Sequence, residues 1–168
     1  MLPILDFNCF LKSPNSLDAK KFCNNLVQTC HETGFFYLTG HGVDTRQNQT
    51  VIAMARQFFA LPEEDRRAIA IGKSPHFRGY TILGDELTQG KSDWRDQIDI
   101  GPEQQAHEVN AKDPAWLRLI GPNQWPVAIP EMPATVSKWA ESMNHVSMEL
   151  FRALAIGLGH SYDYFDYL

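Results

Sequence analysis

The chain of 168 residues has only three cysteines, Cys9, Cys23 and Cys30. The count is odd and no CxxC pair occurs, which argues against a disulfide framework and against a zinc knuckle. Cys23 and Cys30, seven apart on a predicted helix, are expected to share its apolar face as two buried reduced thiols. There is also no basic stripe. Lys and Arg are scattered and the net charge is −5, so neither nucleic acid nor an anionic membrane surface has electrostatic support as a partner. No apolar run nears the roughly 18–20 residues needed to span a membrane. The opening Met1-Leu2-Pro3-Ile4-Leu5-Asp6-Phe7 has no basic start and is interrupted early by Asp6, unlike a signal peptide. A cytoplasmic protein is expected, in which the acceptor string Asn48-Gln49-Thr50 goes unglycosylated.

What remains is ordinary globular material, 43% hydrophobic and 21% charged, of a length suited to one domain spanning 1–168. Residues 2–7 read as a short strand. Ser16 is placed to cap a helix over 17–32, where Ala19, Phe22, Cys23, Leu26, Val27 and Cys30 recur at helical spacing. Phe35-Phe36-Tyr37-Leu38, bounded by Gly34 and Gly40, reads as a buried strand. A helix over 45–59 presents Val51, Met54, Ala55 and Phe58. Leu61-Pro62-Glu63-Glu64-Asp65 opens a short helix, since proline there needs no N–H and acidic groups suit a helix start. Residues 71–100 look irregular and extended. Residues 101–133 read as long connections pinned to the core by Trp116 and Trp125. A long helix over 133–157 carries the stripe Val136, Trp139, Ala140, Met143, Val146, Leu150 and Leu154. The class expected is α+β, helices packed on a few short strands. Four aromatics in 162–168 are expected to pack against something that follows or against a partner.

Several strings in order carry a resemblance. They are Leu2-Pro3-Ile4-Leu5-Asp6; Gly34-Phe35-Phe36-Tyr37-Leu38-Thr39-Gly40-His41-Gly42-Val43; Phe58-Phe59-Ala60-Leu61-Pro62; Arg78-Gly79-Tyr80; Asp93-Trp94-Arg95-Asp96 with Asp99-Ile100-Gly101; Gly121-Pro122-Asn123-Gln124-Trp125-Pro126; and Ala155-Ile156-Gly157-Leu158-Gly159 leading to Tyr164-Phe165. Together they resemble the N-terminal region of the isopenicillin-N-synthase-like oxygenases, which depend on Fe(II) and 2-oxoglutarate. The resemblance implies one non-haem dioxygenase N-terminal domain, whose strands join the edge of a jelly-roll barrel (a double-stranded β-helix) in intact members. It implies a small-molecule substrate and an oxidation such as hydroxylation, desaturation, ring closure or ethylene formation. Family members hold iron with His-x-Asp and a distant His, and 2-oxoglutarate with Arg-x-Ser. Two imidazoles and one carboxylate leave open positions on Fe(II). None of the six histidines here begins His-x-Asp or His-x-Glu, and Arg-x-Ser does not occur. The expectation is therefore no catalytic residue, no metal ligand and no cofactor held by this chain alone. The catalytic barrel is then absent or supplied as a separate chain, and the alternative is a non-catalytic module that pairs with such a barrel or another partner.

Among individual residues, Arg78 and Tyr80 are the substrate-binding candidates. A guanidinium forks onto a carboxylate, and Gly79 allows close backbone approach. The plainer alternative is a surface arginine and a buried tyrosine at a strand start. Gly34, Phe35, Phe36, His41 and Gly42 belong to the structural motif, with the His41 imidazole bonding backbone groups to hold the turn. Trp94 is expected to be packed inside a salt-bridge set of Asp93, Arg95, Asp96 and Asp99, and Trp125 to anchor the core. His145 and Glu149 could start a metal site, but a polar pair without a third ligand is the simpler expectation.

Overall fold

The computed structural model describes residues 1–85, 87–110 and 112–167, and of residues 87 and 88 the backbone alone. In chain order the elements are β1 (Ile4–Asp6), α1 (Asn8–Lys12), α2 (Leu17–Glu32), β2 (Tyr37–Thr39), α3 (Thr45–Phe59), α4 (Glu63–Ala68), β3 (Gly79–Thr81), β4 (Leu87–Thr88), β5 (Lys91–Ser92), β6 (Gln97–Asp99) and α5 (Met132–Gly157). Contacts divide them into two compact units, Met1–Gln47 with Ala140–Leu168, and Asn48–Trp139. Among the described residues the strands form three separate two-stranded sheets, none closed into a barrel.

In the first unit, β1 and β2 pair in parallel with Leu5 opposite Leu38. The strand read over 2–7 is shorter than expected, because Asp6 turns the chain: its Oδ1 accepts the Asn8 N–H at 3.0 Å and α1 begins. Ser16 caps α2, its hydroxyl accepting the Ala19 N–H at 3.1 Å, a contact of about 1 kcal/mol. The stripe of α2 buries Ala19, Phe22, Cys23, Leu26 and Thr29. Phe22 packs with Phe7 and Phe10, with ring centroids 5.2 and 6.2 Å away. Each such ring contributes about 1.5–3 kcal/mol through burial. Cys30 departs from expectation. It is exposed, because Thr29 is the last residue of α2 that the core buries, and it rims an open apolar groove of about 210 Å³ with Leu26, Phe36, Leu150, Phe151 and Leu154.

The aromatic tail packs in part within the first unit, while Tyr164 and Tyr167 stay 44% and 78% exposed. It folds back on its own unit. Tyr162 stacks on Phe10 and Phe165 meets Phe151 edge-on. The Tyr162 hydroxyl donates to the buried Glu149 carboxylate at 3.1 Å. Arg152 donates to Glu149 and forks onto Asp166 at 2.9 and 3.1 Å. Glu149 thus faces the tail, while His145 is exposed. Tyr167 is exposed and Leu168 lies outside the described residues.

In the second unit, Met54 and Phe58 of α3, Ile69, Tyr80, Ile129 and Met132 form the core, with Trp125 and Val136 packed against it. Asn48 lies inside α3 and its Oδ1 accepts the Trp139 indole N–H at 2.8 Å. The connection after β6 has little regular structure, as its composition suggests. Trp125 anchors it, but Trp116 does not: that side chain is exposed on a single 3₁₀ turn, Ala115–Leu119. No helix among the described residues is long and apolar enough to cross a membrane.

Candidate functional site

The residues singled out around Arg78 fall on β3 and its surroundings, all within the second unit. β3 pairs antiparallel with β6, Gly79 opposite Asp99, Tyr80 opposite Ile98 and Thr81 opposite Gln97. On its other side Tyr80 donates its N–H to the Ile69 carbonyl at 2.8 Å. Gly79 is obligatory here. Its φ is +122°, and a Cβ would lie 2.3 Å from the Ile69 oxygen and 2.5 Å from Gln124 Nε2.

Tyr80 is 2% exposed, a buried tyrosine at a strand start. Its ring meets Phe58 edge-on at 5.8 Å. Its hydroxyl accepts from Arg66 Nη1 at 2.8 Å, and the same nitrogen reaches Asp96 Oδ2 at 2.9 Å. Burial pushes the phenol up to about 12, assisted by its hydrogen bond to Asp96 and by that carboxylate's charge. Tyr80 therefore stays neutral at any physiological pH, as a donor that ties Asp96 and Arg66 to the core.

The Arg78 guanidinium turns back on the chain. Nη1 donates to the His76 and Phe77 carbonyls at 2.9 and 3.1 Å, and Nη2 to the Leu119 carbonyl at 3.2 Å. Nε is buried without a partner among the described residues. Phe77 adopts a left-handed φ of 56°, a conformation costing about 1–3 kcal/mol. The guanidinium lies flat against Gly101, where a Cβ would come within 2.2 Å of Nη2. His76 adds a second tie, Nδ1 meeting the Arg118 carbonyl at 2.7 Å. Two side chains thus lock the 76–78 turn to the 118–119 segment.

A second set of residues, given no role from sequence, completes the site. Gln124 Nε2 lies 3.3, 3.0 and 2.7 Å from the carbonyls of Ile69, Ala70 and Arg78. Asn123 Oδ1 accepts the Gly101 N–H at 2.9 Å and Nδ2 donates to the Gly101 carbonyl at 2.8 Å. The Glu103 carboxylate accepts from Asn123 Nδ2 at 2.8 Å and from Trp125 Nε1 at 3.0 Å. Burial pushes that carboxyl up, but these bonds and the Arg78 charge outweigh it and hold it below its ordinary value. The only sequence signal was the string Gly121 to Pro126, which places two amides and an indole between turn residues. That they stitch a long connection to β3 follows from contacts between segments distant in the chain.

The remaining predicted positions lie elsewhere or differ. Arg95 pairs with Asp93 at 2.7 Å. Trp94, expected to be packed inside that set, is 78% exposed: the ion pair forms between its neighbours and leaves the indole outside. Gln97 donates to Asp99 at 3.2 Å along one face of β6. In the first unit, His41 Nδ1 accepts the Val43 N–H at 3.2 Å across the Gly40-His41-Gly42 turn. Gly34, at φ +73°, ends α2, and Phe36 packs on the core while Phe35 does not. Among the described residues no group of three or more His, Cys, Asp or Glu could hold a metal ion. The donor set on the described residues does not fit an iron centre.

The family described as non-haem dioxygenase in morphine synthesis, N-terminal, matches residues 2–128. The 2-oxoglutarate-dependent dioxygenase frbJ of Dothideomycetidae sp. (strain 11243) is 33% identical over 98% of this chain and 43% of its own length. The homoarginine-6-hydroxylase 2-ODD-C23.2 of Arabidopsis thaliana is 31% identical over 96% of this chain and 46% of its length. A full-length Neurospora crassa protein, crystallised in complex with alpha-KG, superposes with a TM-score of 0.77 at 23% identity, covering 98% of this chain and 49% of that one. The chain spans about half the length of the curated relatives it matches. The small unclosed sheets, the helices around them and the family match over residues 2–128 make one consistent assignment: this chain belongs to the non-haem dioxygenase N-terminal family of the 2-oxoglutarate/Fe(II) oxygenases.

Proposed function

We propose that this chain is the N-terminal, substrate-pocket-shaping part of a 2-oxoglutarate/Fe(II)-dependent oxygenase acting on a small molecule. The reading rests on coverage: nearly the whole chain aligns with less than half of a 2-oxoglutarate-dependent dioxygenase. Fe(II) and 2-oxoglutarate, where the family binds them, supply the oxidising chemistry; this chain's own part is shape. Arg78 and Tyr80 hold the β3–β6 pair and the 118–119 segment in one arrangement, giving a substrate a fixed wall. The oxidation is a hydroxylation, desaturation, ring closure or ethylene formation. The reading predicts that the purified chain, titrated with Fe(II) under argon and then given 2-oxoglutarate and air, takes up no stoichiometric iron and forms no succinate above the protein-free blank. Tight one-to-one iron binding with succinate release would overturn it.

A second reading is a non-catalytic module that pairs with a separate barrel chain. It is favoured by the open face of β1–β2, where the paired Ile4 and Tyr37 are 65% and 62% exposed, and by Phe35 just before β2, which is 71% exposed. Co-purification with a second polypeptide carrying His-x-Asp and Arg-x-Ser would support it, and purification without any such chain from its own host would count against it.

A further inference from the structure

Residues 160–167, His-Ser-Tyr-Asp-Tyr-Phe-Asp-Tyr, carry two aspartates and no lysine or arginine. They nevertheless lie against α5 where Glu149 is buried. An acidic segment beside a buried carboxylate is repelled unless a cation stands between them. Arg152 is that cation. Its Nη1 donates to Glu149, Nε and Nη2 fork onto Asp166 at 2.9 and 3.1 Å, and the guanidinium carbon lies 5.0 Å from the centre of the Tyr162 ring. The main chain adds little to this hold. The His160 N–H reaches the Ala155 carbonyl at 2.9 Å. Beyond it, among the described residues, the segment's backbone bonds stay inside the segment, from the Tyr164 N–H to Ser161 and from the Asp166 N–H to Asp163. The two glycines before it differ. A Cβ on Gly157 would come 2.5 Å from the Cys23 carbonyl oxygen, which presses that residue onto α2. Gly159, at φ +83°, would meet nothing within 4 Å and has room to rotate.

We infer that residues 160–167 form a strap that swings about Gly159 and is locked shut by one positive charge, that of Arg152 held between Glu149 and Asp166. Closed, the strap lays Tyr162 on Phe10, with centroids 6.4 Å apart, and Phe165 on Phe151 at 5.9 Å. Opening uncovers the Phe10 ring, fully buried in the closed form, and gives the Glu149 carboxylate to water. Phe7 and Phe22 still hold Phe10 from the core side, so the strap opens as a local unit while the rest stays folded. The inference concerns contacts inside the first unit and does not depend on the oxygenase reading.

Amide exchange on the full chain, resolved by residue, tests it. Arg152→Met is expected to speed exchange at the Tyr164 and Asp166 amides about tenfold or more, the loss of one hydrogen bond to a charged group expressed as an equilibrium ratio. The Phe22 and Leu26 amides of α2 should keep the parent's rates. Arg152→Lys retains the charge without the fork and should stay near the parent. Adding Glu149→Gln to Arg152→Met should recover part of the protection, because no buried carboxylate then faces the strap. Asp166→Asn leaves α5 untouched and should loosen the strap less than Arg152→Met. Unchanged exchange at 164 and 166 in Arg152→Met overturns the inference. So does Arg152→Lys as open as Arg152→Met, or a double variant no more protected than Arg152→Met, since packing and not charge would then be the lock. Faster exchange that spreads to α2 also overturns it, because the strap and its unit would then open together.

Discussion

Replacing Tyr80 with phenylalanine removes one hydroxyl from the second unit's core and keeps the ring against Phe58. At about pH 8 the loss should cost about 1.5 kcal/mol, the low end for a hydrogen bond to a charged group, because Arg66 retains Asp96 at 2.9 Å. The pH dependence is the sharper test. Burial first, and the hydrogen bond to Asp96 second, push the Tyr80 phenol from 10.0 up to about 12. The unfolded chain releases this proton near 10.0, whereas the folded chain keeps it until about 12. The native state is therefore favoured fully below the lower value and loses that advantage as pH rises through the window. Full passage amounts to about 3 kcal/mol. The Tyr80→Phe variant has no phenolic proton to lose at this position, so it escapes the loss. Urea unfolding followed by circular dichroism should find the wild type more stable at about pH 8, with the gap closing and then reversing by about pH 12. Other titrating groups, Cys23 included, are common to both proteins and cancel in the difference. A stability gap that stays constant from neutral to alkaline pH would refute the buried, proton-holding role of Tyr80.

Gln124→Leu removes the amide shared by the Ile69, Ala70 and Arg78 carbonyls and should cost about 1–3 kcal/mol in urea unfolding. Faster exchange at the Tyr80 amide should accompany it, and a variant as stable as the parent would show that the connection needs no such tie. Among the thiols, Cys30 should react with a water-soluble disulfide reagent within the mixing phase at neutral pH. Cys23, fully buried and pushed up to about 11 by burial, should react only on unfolding. Mass mapping that finds Cys23 labelled as fast as Cys30 in the folded chain would contradict this.

Local chemistry was readable from the sequence alone. Ser16 caps α2, Pro62 and the acidic run start α4, and the 3.6-residue stripes of α2, α3 and α5 follow from near-neighbour spacing. The ordered strings from Leu2 to Phe165 carried the family, and the missing His-x-Asp and Arg-x-Ser were legible by inspection. What failed were statements about which side chains are covered, because burial depends on neighbours distant in sequence. Cys30 keeps the helical phase of Cys23 but lies past the end of the core. Trp94 sits between ion-paired neighbours that do not enclose it. Phe35 and Tyr37 form an apolar run whose second face has no layer over it among the described residues. Part of the aromatic tail is received within the first unit, by Phe10 near the other end of the chain and by Glu149 and Arg152 of α5, contacts that no near-neighbour spacing announces. Tertiary structure alone decided that Arg78 spends its donors on three carbonyls, and that Gln124, 46 residues on, holds the strand that follows Arg78. Caps and periodicity are set by bonds within a few residues, whereas a site is set by which distant segments the core brings within hydrogen-bond reach.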